Sequence, residues 1–595
     1  MAAPKAKLEP GEKGWRAPYP SSASLSFPPV IHIFIFFPSK KKKTSALVKR
    51  FRGHVAALLR HPTGAPVVDE LYSRASQRDR DAMTAELYSK EYSVFAPGGG
   101  GSGSSSQIPA SLAGALEARG GDARARREML SRVAALLTPL LEKAMVDPPI
   151  VHRVLAEFLE CATDAAGREV SSLLCGSATL LRVVHTRDGA RAACRALASA
   201  GAKERKAAVK AMKGHAVAMA RDEWGHAVLA TALTVVDDTA LLSKAVVAEL
   251  AAARAASGGG EGGGEEGGGG PLLLRELCSH PHASRVFCQL LSPCDPRVLP
   301  PHTLALVKAA SDRALGEDGM GAGGEGGGKN DDDDDDDKDG DDAAATAAAT
   351  TSDAATAAAA AAAPSTSSPP APKSNLTSKK SASKRRREIL GSGSSPTSLG
   401  SALLRALAAG AGALLRAPAG ADLVVEAARG GGRDAILVEA GAHAEGVSKL
   451  HEAIVAAIEK SLHAEGTKGT KAKPRKEEGA EKGAKKDGEG EGADEECLLT
   501  DFYASRALRR LVLCGGDTAG AFSSLLWKRV LRGNCSKLSK SHAAKVVAAV
   551  FVVAGTGDAG EETRKEIESE LQKCVAGADV KAWAAGVLKP PPAKK

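Results

Sequence analysis

Five basic residues occupy one position of a repeated motif. Each stands two places after a small or apolar residue that opens an apolar helical stretch. They are Arg153, Arg191, Arg285, Arg506 and Lys545. A guanidinium or ammonium group can pair with a phosphate, and a guanidinium can also stack on a base. These residues predict a surface that binds nucleic acid through its backbone; the alternative is that they only cover a helix face or pair with Asp and Glu of adjacent repeats.

The motif that holds these residues is seven positions long. An aromatic or small residue is followed by Gly or Ala, two variable positions and an apolar stretch. The clearest copies are residues 222–228 (DEWGHAV) and 501–507 (DFYASRA), and 280–286 and 61–67 are looser. Weaker copies centred on Val151, Gly189, Gly420 and Ala543 bring the candidates to eight.

The spacing of the motif predicts the fold. Val151 and Gly189 are 38 residues apart, Gly189 and Gly225 are 36 apart, and Ala504 and Ala543 are 39 apart. A unit of this length with two apolar helical stretches is typical of an all-α solenoid, whose repeats bury their cores only against neighbours. The wider gaps contain insertions, which we expect where one repeat hands over to the next.

Composition sets limits on the fold and the partner. Of 595 residues, 43% are hydrophobic, only 3% are aromatic and 64 are Gly, so part of the chain lies outside any packed core. Ten cysteines without a CxxC pair favour a reducing compartment and predict neither disulfides nor a metal site. The net charge of +9 favours an anionic partner.

Low-complexity segments divide the chain. We expect helical repeats over 45–315, with Gly-rich loops at 97–106 and 257–270, and again over 384–590, with a charged linker at 463–495. Residues 1–44 are predicted to be a disordered leader or an artefact of gene prediction. The linker 316–383 carries the acidic run 331–337, which is either a solvated spacer or a mimic of nucleic acid. The apolar run at 28–38 is too short to span a bilayer, so no membrane segment is expected.

Three stretches carry a family resemblance: residues 47–72, 183–238 and 279–296. They resemble the pumilio repeat, and more closely the nucleolar pumilio-like proteins with a CPL domain, the Puf-A or penguin family. The run SKRRRE at 383–388 looks like the start of the CPL region. The resemblance implies pumilio/armadillo-like helical repeats, with a CPL region and C-terminal repeats over 384–590. We expect the further repeats that the family has before the stretch at 47 to be absent or replaced, either because the arm is shorter or because the gene model has lost its first exons.

The resemblance also implies which side chains face RNA, because two or three per pumilio repeat read one base. The base-edge position precedes each basic residue above. It holds Ala65, His152, Ala190, His226, Ser284, Ala421, Ser505 and Ala544. Ala offers no donor or acceptor to a base edge, so little sequence-specific reading is expected. The predicted contacts are the five basic residues, with His152, His226, Ser284 and Ser505, and a second cluster of Lys49, Arg50, Arg52, His54 and Arg60.

Basic runs suggest a nuclear address. Lys379 and Lys380 with residues 384–387 read as a bipartite signal, and 40–43 and 471–476 are further candidates. The resemblance implies a location in the nucleus and nucleolus.

No catalytic motif stands in a fitting context, so we expect no enzyme and no cofactor or small-molecule substrate. The resulting hypothesis is a protein that binds RNA, and possibly DNA, through the backbone. The resemblance implies work on pre-ribosomal RNA with other ribosome-assembly factors. Two alternatives stay open: a sequence-specific regulator of messenger RNA of the pumilio type, and an α-solenoid scaffold that binds proteins.

Overall fold

The computed structural model describes thirteen segments of the chain. They are residues 41–89, 109–118, 122–176, 179–252, 272–315, 380–391, 398–432, 434–439, 443–468, 497–514, 517–554, 560–575 and 579–589. The expected Gly-rich loops, the acidic run and most of both predicted linkers lie outside these segments. Within the described residues every regular element is a helix, and the first begins at Lys41.

The helices are numbered in chain order. The first fifteen are α1 (Lys41–Phe51), α2 (Val55–Leu59), α3 (Ala65–Arg74), α4 (Gln77–Tyr88), α5 (Leu112–Glu117), α6 (Ala123–Glu142), α7 (Pro149–Cys161), α8 (Ala165–Cys175), α9 (Thr179–Val183), α10 (Arg187–Ser199), α11 (Ala202–Met212), α12 (Ala216–Arg221), α13 (Gly225–Val235), α14 (Thr239–Leu242) and α15 (Ala248–Ala252). A π-helical turn, Ser243–Val247, joins the last two.

The second half continues the series. It contains α16 (Leu272–Ser279), α17 (Ala283–Leu291), α18 (Pro301–Leu315), α19 (Ala382–Leu390), α20 (Leu399–Ala409), α21 (Ala411–Arg416), α22 (Pro418–Ala428), α23 (Ala444–Lys468), α24 (Phe502–Cys514), α25 (Asp517–Leu526), α26 (Cys535–Leu538), α27 (Ala544–Val553), α28 (Gly560–Cys574) and α29 (Val580–Leu588). A second π-helical turn, Trp527–Leu531, follows α25.

Eight helices stack side by side in one row, which we call the inner row. In order they are α3, α7, α10, α13, α17, α22, α24 and α27, and each packs against the next. Each of the eight candidate motifs lies at the start of one of these helices. The prediction of an all-α solenoid is therefore confirmed, and its repeats bury one continuous core.

The Gly of the motif is explained by a close backbone approach. A Cβ added at Gly189 would lie 1.9 Å from the carbonyl oxygen of Val183, six residues earlier. A Cβ added at Gly64 would lie 2.6 Å from the carbonyl oxygen of Leu58. The preceding short helix turns directly onto the inner helix, so a side chain at this position forces the two apart.

In three repeats an arginine of the following helix binds the last turn of the inner helix. Arg205 in α11 donates to the carbonyls of Leu197 and Ala198, which end α10, at 2.8 Å each. Arg80 in α4 binds the last carbonyls of α3 in the same way, and Arg386 in α19 binds those of α17. Because α19 thus follows α17 as α11 follows α10, α18 is an insertion inside a repeat. For this stretch alone, the structure corrects the expectation that insertions lie between repeats.

A glycine turn recurs before the inner helices. Gly53, Gly214 and Gly533 have φ of +84°, +84° and +79°, and each precedes His or Asn. Their N–H groups donate to the carboxylates of Glu86, Glu249 and Glu570, at 2.7–2.8 Å. The sequence pattern R/K-G-H/N was visible, and it marks the repeat independently of the inner helices.

Candidate nucleic-acid interface

Helix α18 covers the inner face of the third and fourth helices of the row, α10 and α13. Helix α10 has α7 and α13 beside it in the row and α8 behind it, and α18 takes the remaining side; α18 packs equally on α13. Thr303, Val307 and Ala310 of α18 are fully buried by this contact. Any ligand that approaches the face of α10 and α13 meets α18 first.

Specific contacts hold the first turn of α18 in place. The Nε2 atom of His226 lies 3.1 Å from the hydroxyl oxygen of Thr303. The ring of His302 lies edge-on to the ring of Trp224, with 5.5 Å between the centroids. At the other end, the Arg313 guanidinium reaches the carbonyls of Leu159 and Ala162 on α7 at 3.5 and 3.4 Å. The helix is thus held across three members of the inner row.

Three of the four polar base-edge residues lie inside the protein. His152 and His226 are fully buried, and Ser284 is 2% exposed. His152 bonds to the hydroxyl of Thr186 at 2.7 Å, and burial lowers the pKa of both histidines to about 3, so they stay neutral. The structure corrects the expectation that these side chains face a ligand. Of the four polar edge residues only Ser505 is half-exposed.

Arg153 is committed to a buried polar network. Its guanidinium binds Asp81 at 2.8 Å and Glu157 at 2.9 Å, and only 12% of the side chain is exposed. Glu157 also accepts from the hydroxyl of Tyr88 and from the backbone N–H of Leu112. Burial lowers the pKa of Arg153, but the hydrogen bonds to Glu157, Tyr72 and Asp81 raise it well above its ordinary value. This arginine holds α4 and α7 together.

The next two basic positions are also engaged. Arg191 forms ion pairs with Glu160 at 2.6 Å and Asp188 at 2.8 Å. Arg285 lies half-buried, and its Nη1 is 3.1 Å from Nδ1 of His282. Burial lowers the pKa of Arg285, and no carboxylate pairs with it in the described part of the chain. The positive charge of Arg191 is therefore neutralised, whereas that of Arg285 lies behind a histidine ring.

The last two basic positions are open. Arg506 on α24 and Lys545 on α27 are exposed, and within the residues described here neither forms an ion pair. Helices α22 and α27 flank α24 in the row, and α21 and α25 lie behind it. The remaining side of α24 carries Phe502, Arg506, Arg509 and Leu513. The inner face of this region is uncovered and basic.

The predicted N-terminal cluster is mostly exposed. Lys49, Arg50 and His54 are exposed around the turn between α1 and α2, and Arg52 is half-exposed. Arg60 donates to the carbonyl of Ala135 on α6 at 3.2 Å. The structure brings the first four together and ties the fifth to a neighbouring helix, and their contact with nucleic acid stays a prediction.

A basic groove that sequence reasoning missed lies beside the end of α18. Arg168, Arg195 and Arg313 line it, together with Asp312. Burial lowers the pKa of Arg313, and the charge of Arg195 lowers it further. These arginines come from three separate helices, so no local motif could have shown their proximity.

The run at 384–387 is built into the fold. Arg385 is fully buried and binds Asp237 at 2.9 Å, and Arg386 is 6% exposed and binds Asp434 at 2.7 Å. Arg387 pairs with Glu439, and Lys380 binds Glu388 at 2.6 Å. A receptor that reads a basic run needs its side chains free, so in this fold the run does not form an exposed nuclear address. Residues 471–476 lie outside the described residues.

Other expectations concern absent features. Across the described segments, no helix is long and apolar enough to cross a membrane. Those segments also hold no group of three or more His, Cys, Asp and Glu residues arranged to bind a metal. All ten cysteines are free thiols, and six of them are buried.

Comparison with known proteins finds pumilio homologues that are similar to part of the chain, and no family model matches it. It is 40% identical over 212 residues to Pumilio homolog 24 of Arabidopsis thaliana, which covers 36% of this chain and 32% of that protein. It is 28% identical over 266 residues to Pumilio homolog 3 of Danio rerio, covering 44% and 37%. The chain thus spans about a third of the length of these curated relatives.

Solved structures with a similar fold match a longer stretch of the chain than the sequence relatives do. Human Puf-A in complex with DNA superimposes with a TM-score of 0.59 at 17% identity, over 94% of this chain and 82% of that one. Human Puf-A alone gives a TM-score of 0.58 at 18% identity. The sequence relatives and the shared helical architecture together confirm the resemblance, and the chain is similar to the pumilio-like proteins of the Puf-A kind.

Proposed function

We propose that this protein binds single-stranded nucleic acid, RNA above all, through its phosphate backbone and with little sequence preference. The binding region is the uncovered inner face formed by α24 and α27. The observation that carries the proposal is the contrast within one set of equivalent positions. Arg153 and Arg191 are neutralised by carboxylates, whereas Arg506 and Lys545 are exposed without an ion pair in the described chain.

The base-edge positions support weak sequence preference. Ala65, Ala190, Ala421 and Ala544 carry no polar atom on the side chain. His152, His226 and Ser284 are polar but buried. A good bidentate contact with a base edge contributes about 1–3 kcal/mol of discrimination, and these positions cannot supply it. This speaks against a sequence-specific regulator of messenger RNA.

Relatives support the choice of ligand. Human Puf-A crystallises in complex with DNA, and the fold of this chain follows that of Puf-A. Binding through the phosphate backbone explains how both DNA and RNA can be bound, because the two have phosphates in common.

The cellular role that we propose rests on the family. Pumilio-like proteins of the nucleolar kind imply action on pre-ribosomal RNA, with ribosome-assembly factors as partners and the nucleus and nucleolus as location. Fold alone does not fix such a role, so it is proposed by analogy. Because residues 385 and 386 are buried, we expect any nuclear address to lie elsewhere in the chain.

The proposal is tested by the affinity of the purified chain for several unrelated RNA and DNA oligomers at two salt concentrations. We expect similar affinities that fall with salt. The double variant Arg506→Glu/Lys545→Glu should weaken all of them by about tenfold to a hundredfold and make the salt dependence shallower, because each lost phosphate contact removes about one released counterion.

The matched control reverses two exposed charges on α11, Lys203→Glu/Lys210→Glu, which changes the net charge by the same amount. This control should bind within about twofold of the parent, since long-range charge is screened at physiological salt. Equal losses in both variants would contradict a localised site. A strong preference for one short motif would revive the messenger RNA regulator, and no binding at all would leave the protein-binding scaffold.

A further inference from the structure

Two adjacent aromatic rings stand exposed at the start of α24. Phe502 is 68% exposed and Tyr503 is 44% exposed. Their rings meet edge-to-face, with centroids 5.1 Å apart and planes at 84°. Large aromatic side chains normally contribute to a core or to an interface. In a chain with only 3% aromatic residues, an exposed pair is an unusual use of them.

The backbone under this pair is fixed. The Oδ1 atom of Asp501 accepts hydrogen bonds from the N–H groups of Tyr503 at 3.0 Å and Ala504 at 2.8 Å. This caps the first turn of α24. The rings therefore project from an ordered helix start, which lowers the entropy lost when they hold a ligand.

In the covered region, the aromatic residue equivalent to Tyr503 is already in contact with a planar ring. Asp222 caps α13 through the N–H groups of Trp224 at 2.9 Å and Gly225 at 2.7 Å, as Asp501 caps α24. Trp224 thus corresponds to Tyr503, and its indole contacts the imidazole ring of His302 from α18. In the repeat of α24 no helix of the described chain covers the corresponding ring, so a place that accepts a planar group is open there.

Positive charge continues from the aromatic pair along α24. Phe502, Arg506, Arg509 and Leu513 follow one another at intervals of four, three and four residues, which places them on one face of the helix. Neither arginine forms an ion pair within the described residues. A ring platform followed by two guanidinium groups is complementary to an unpaired base followed by its phosphates.

We propose that Phe502 and Tyr503 form a platform on which an unpaired base of a single-stranded nucleic acid stacks, while Arg506 and Arg509 contact the adjoining phosphates. This inference rests on the proposed function and adds strand preference to it. The bases of a duplex are stacked on one another, so a duplex can use the arginines and not the platform. Stacking accepts any base, which agrees with weak sequence preference.

The test compares a single-stranded RNA oligomer with a duplex of the same length, both measured against the full chain and the double variant Phe502→Ala/Tyr503→Ala. The single-strand affinity should fall by about tenfold to a hundredfold, since base stacking on aromatic side chains has that effect. The duplex affinity and the slope of affinity against salt should stay within about twofold of the parent, because no phosphate contact is lost.

Two further variants make the result specific. Leu513→Ala removes an exposed apolar side chain from the same face of α24. Because Leu513 belongs to neither the ring platform nor the arginine pair, this variant should lower both affinities by less than about twofold. Phe502→Tyr/Tyr503→Phe keeps both rings and should bind as the parent does. If the alanine double variant loses single-strand and duplex binding equally, or if Leu513→Ala loses as much, the platform is overturned.

Failure of this inference is distinct from failure of the proposed function. A parent chain that binds oligomers with steep salt dependence, together with a double alanine variant that binds equally well, overturns the platform alone. A parent chain that binds no nucleic acid overturns both, and the rings would then be assigned to an apolar protein partner.

Discussion

The repeats of α13 and α24 are built in the same way and present opposite inner faces. Both helices begin with an aspartate cap and an aromatic residue, and both lie between two neighbours of the inner row. On α13 the face is uncharged and α18 covers it, whereas on α24 it is exposed and carries two arginines. Under the proposed function, one scaffold serves cohesion in one region and ligand binding in another. The side chains that make the two inner faces different lie on one face of the inner helix.

Removal of Arg153 is expected to have the largest effect on stability. Arg153→Ala leaves the carboxylates of Asp81 and Glu157 without their partner, in surroundings where they are 17% and 9% exposed. Loss of one member of a buried ion pair costs about 3–5 kcal/mol. Hydrogen exchange of α7 should report a decrease of this size in the free energy of local unfolding.

Arg506→Ala is the matched control for that measurement. Its side chain is exposed, and in the described chain it forms no ion pair, so the free energy of unfolding should change by less than about 0.5 kcal/mol. When RNA affinity is measured, Arg506→Ala should have the larger effect and Arg153→Ala the smaller one. Equal destabilisation by both would contradict the division between a cohesive region and a binding region.

Displacement of α18 tests whether the cover hides a binding surface. Val307→Asp places a carboxylate in the fully buried contact between α18 and the inner row, and an unpaired buried charge should cost about 2–4 kcal/mol. We expect faster hydrogen exchange in α18, α10 and α13. RNA affinity should change less than about twofold, because the buried residues of α10 and α13 are uncharged.

Ala305→Asp is the control, since Ala305 lies on the exposed side of the same helix. It adds the same charge without entering the contact, so α18 should keep its protection from exchange. A large gain in RNA affinity for Val307→Asp, and not for Ala305→Asp, would show that α18 shields a binding surface. The two regions would then differ only in whether they are covered.

Acid should weaken the covered region through its buried histidines. Burial lowers the pKa of His152 and His226 from 6.5 to about 3. Between these values the unfolded chain binds protons that the folded chain does not, so stability falls as the pH decreases from 6.5 towards 3. At pH 5 each histidine accounts for at most about 2 kcal/mol.

Hydrogen exchange of α7 and α13 at pH 7 and at pH 5, corrected for the intrinsic pH dependence of exchange, measures this loss. In His226→Gln, whose side chain does not titrate, the loss in α13 should be smaller, while α7 should respond as in the parent. If α13 of the variant and of the parent lose equal stability on acidification, His226 is not the source.

The sequence predicts the local and periodic features of this fold, but not the contacts between residues that lie far apart in the chain. The motif and its spacing of 36–39 residues predicted the repeated inner helices, because the packing of one repeat on the next recurs along the chain. It did not predict that Arg153 meets Asp81, which is 72 residues away, or that His302 covers Trp224. The glycine turn at Gly53, Gly214 and Gly533 was readable, but a pattern of three residues is weak until the structure shows what its members share.

Replacing the glycine of that turn by alanine is expected to have the smallest effect on stability, and a similar effect in the two regions. Gly214 precedes the covered helix α13, Gly533 precedes the open helix α27, and both have positive φ with open space where a Cβ would lie. Ala at either place meets no atom but adopts a left-handed backbone, which costs about 1 kcal/mol. Gly214→Ala and Gly533→Ala should therefore lower the local unfolding free energy by similar amounts, measured by hydrogen exchange in α12 and α26. A clearly larger cost at Gly214 would mean that the scaffold itself, and not only its inner face, differs between the two regions.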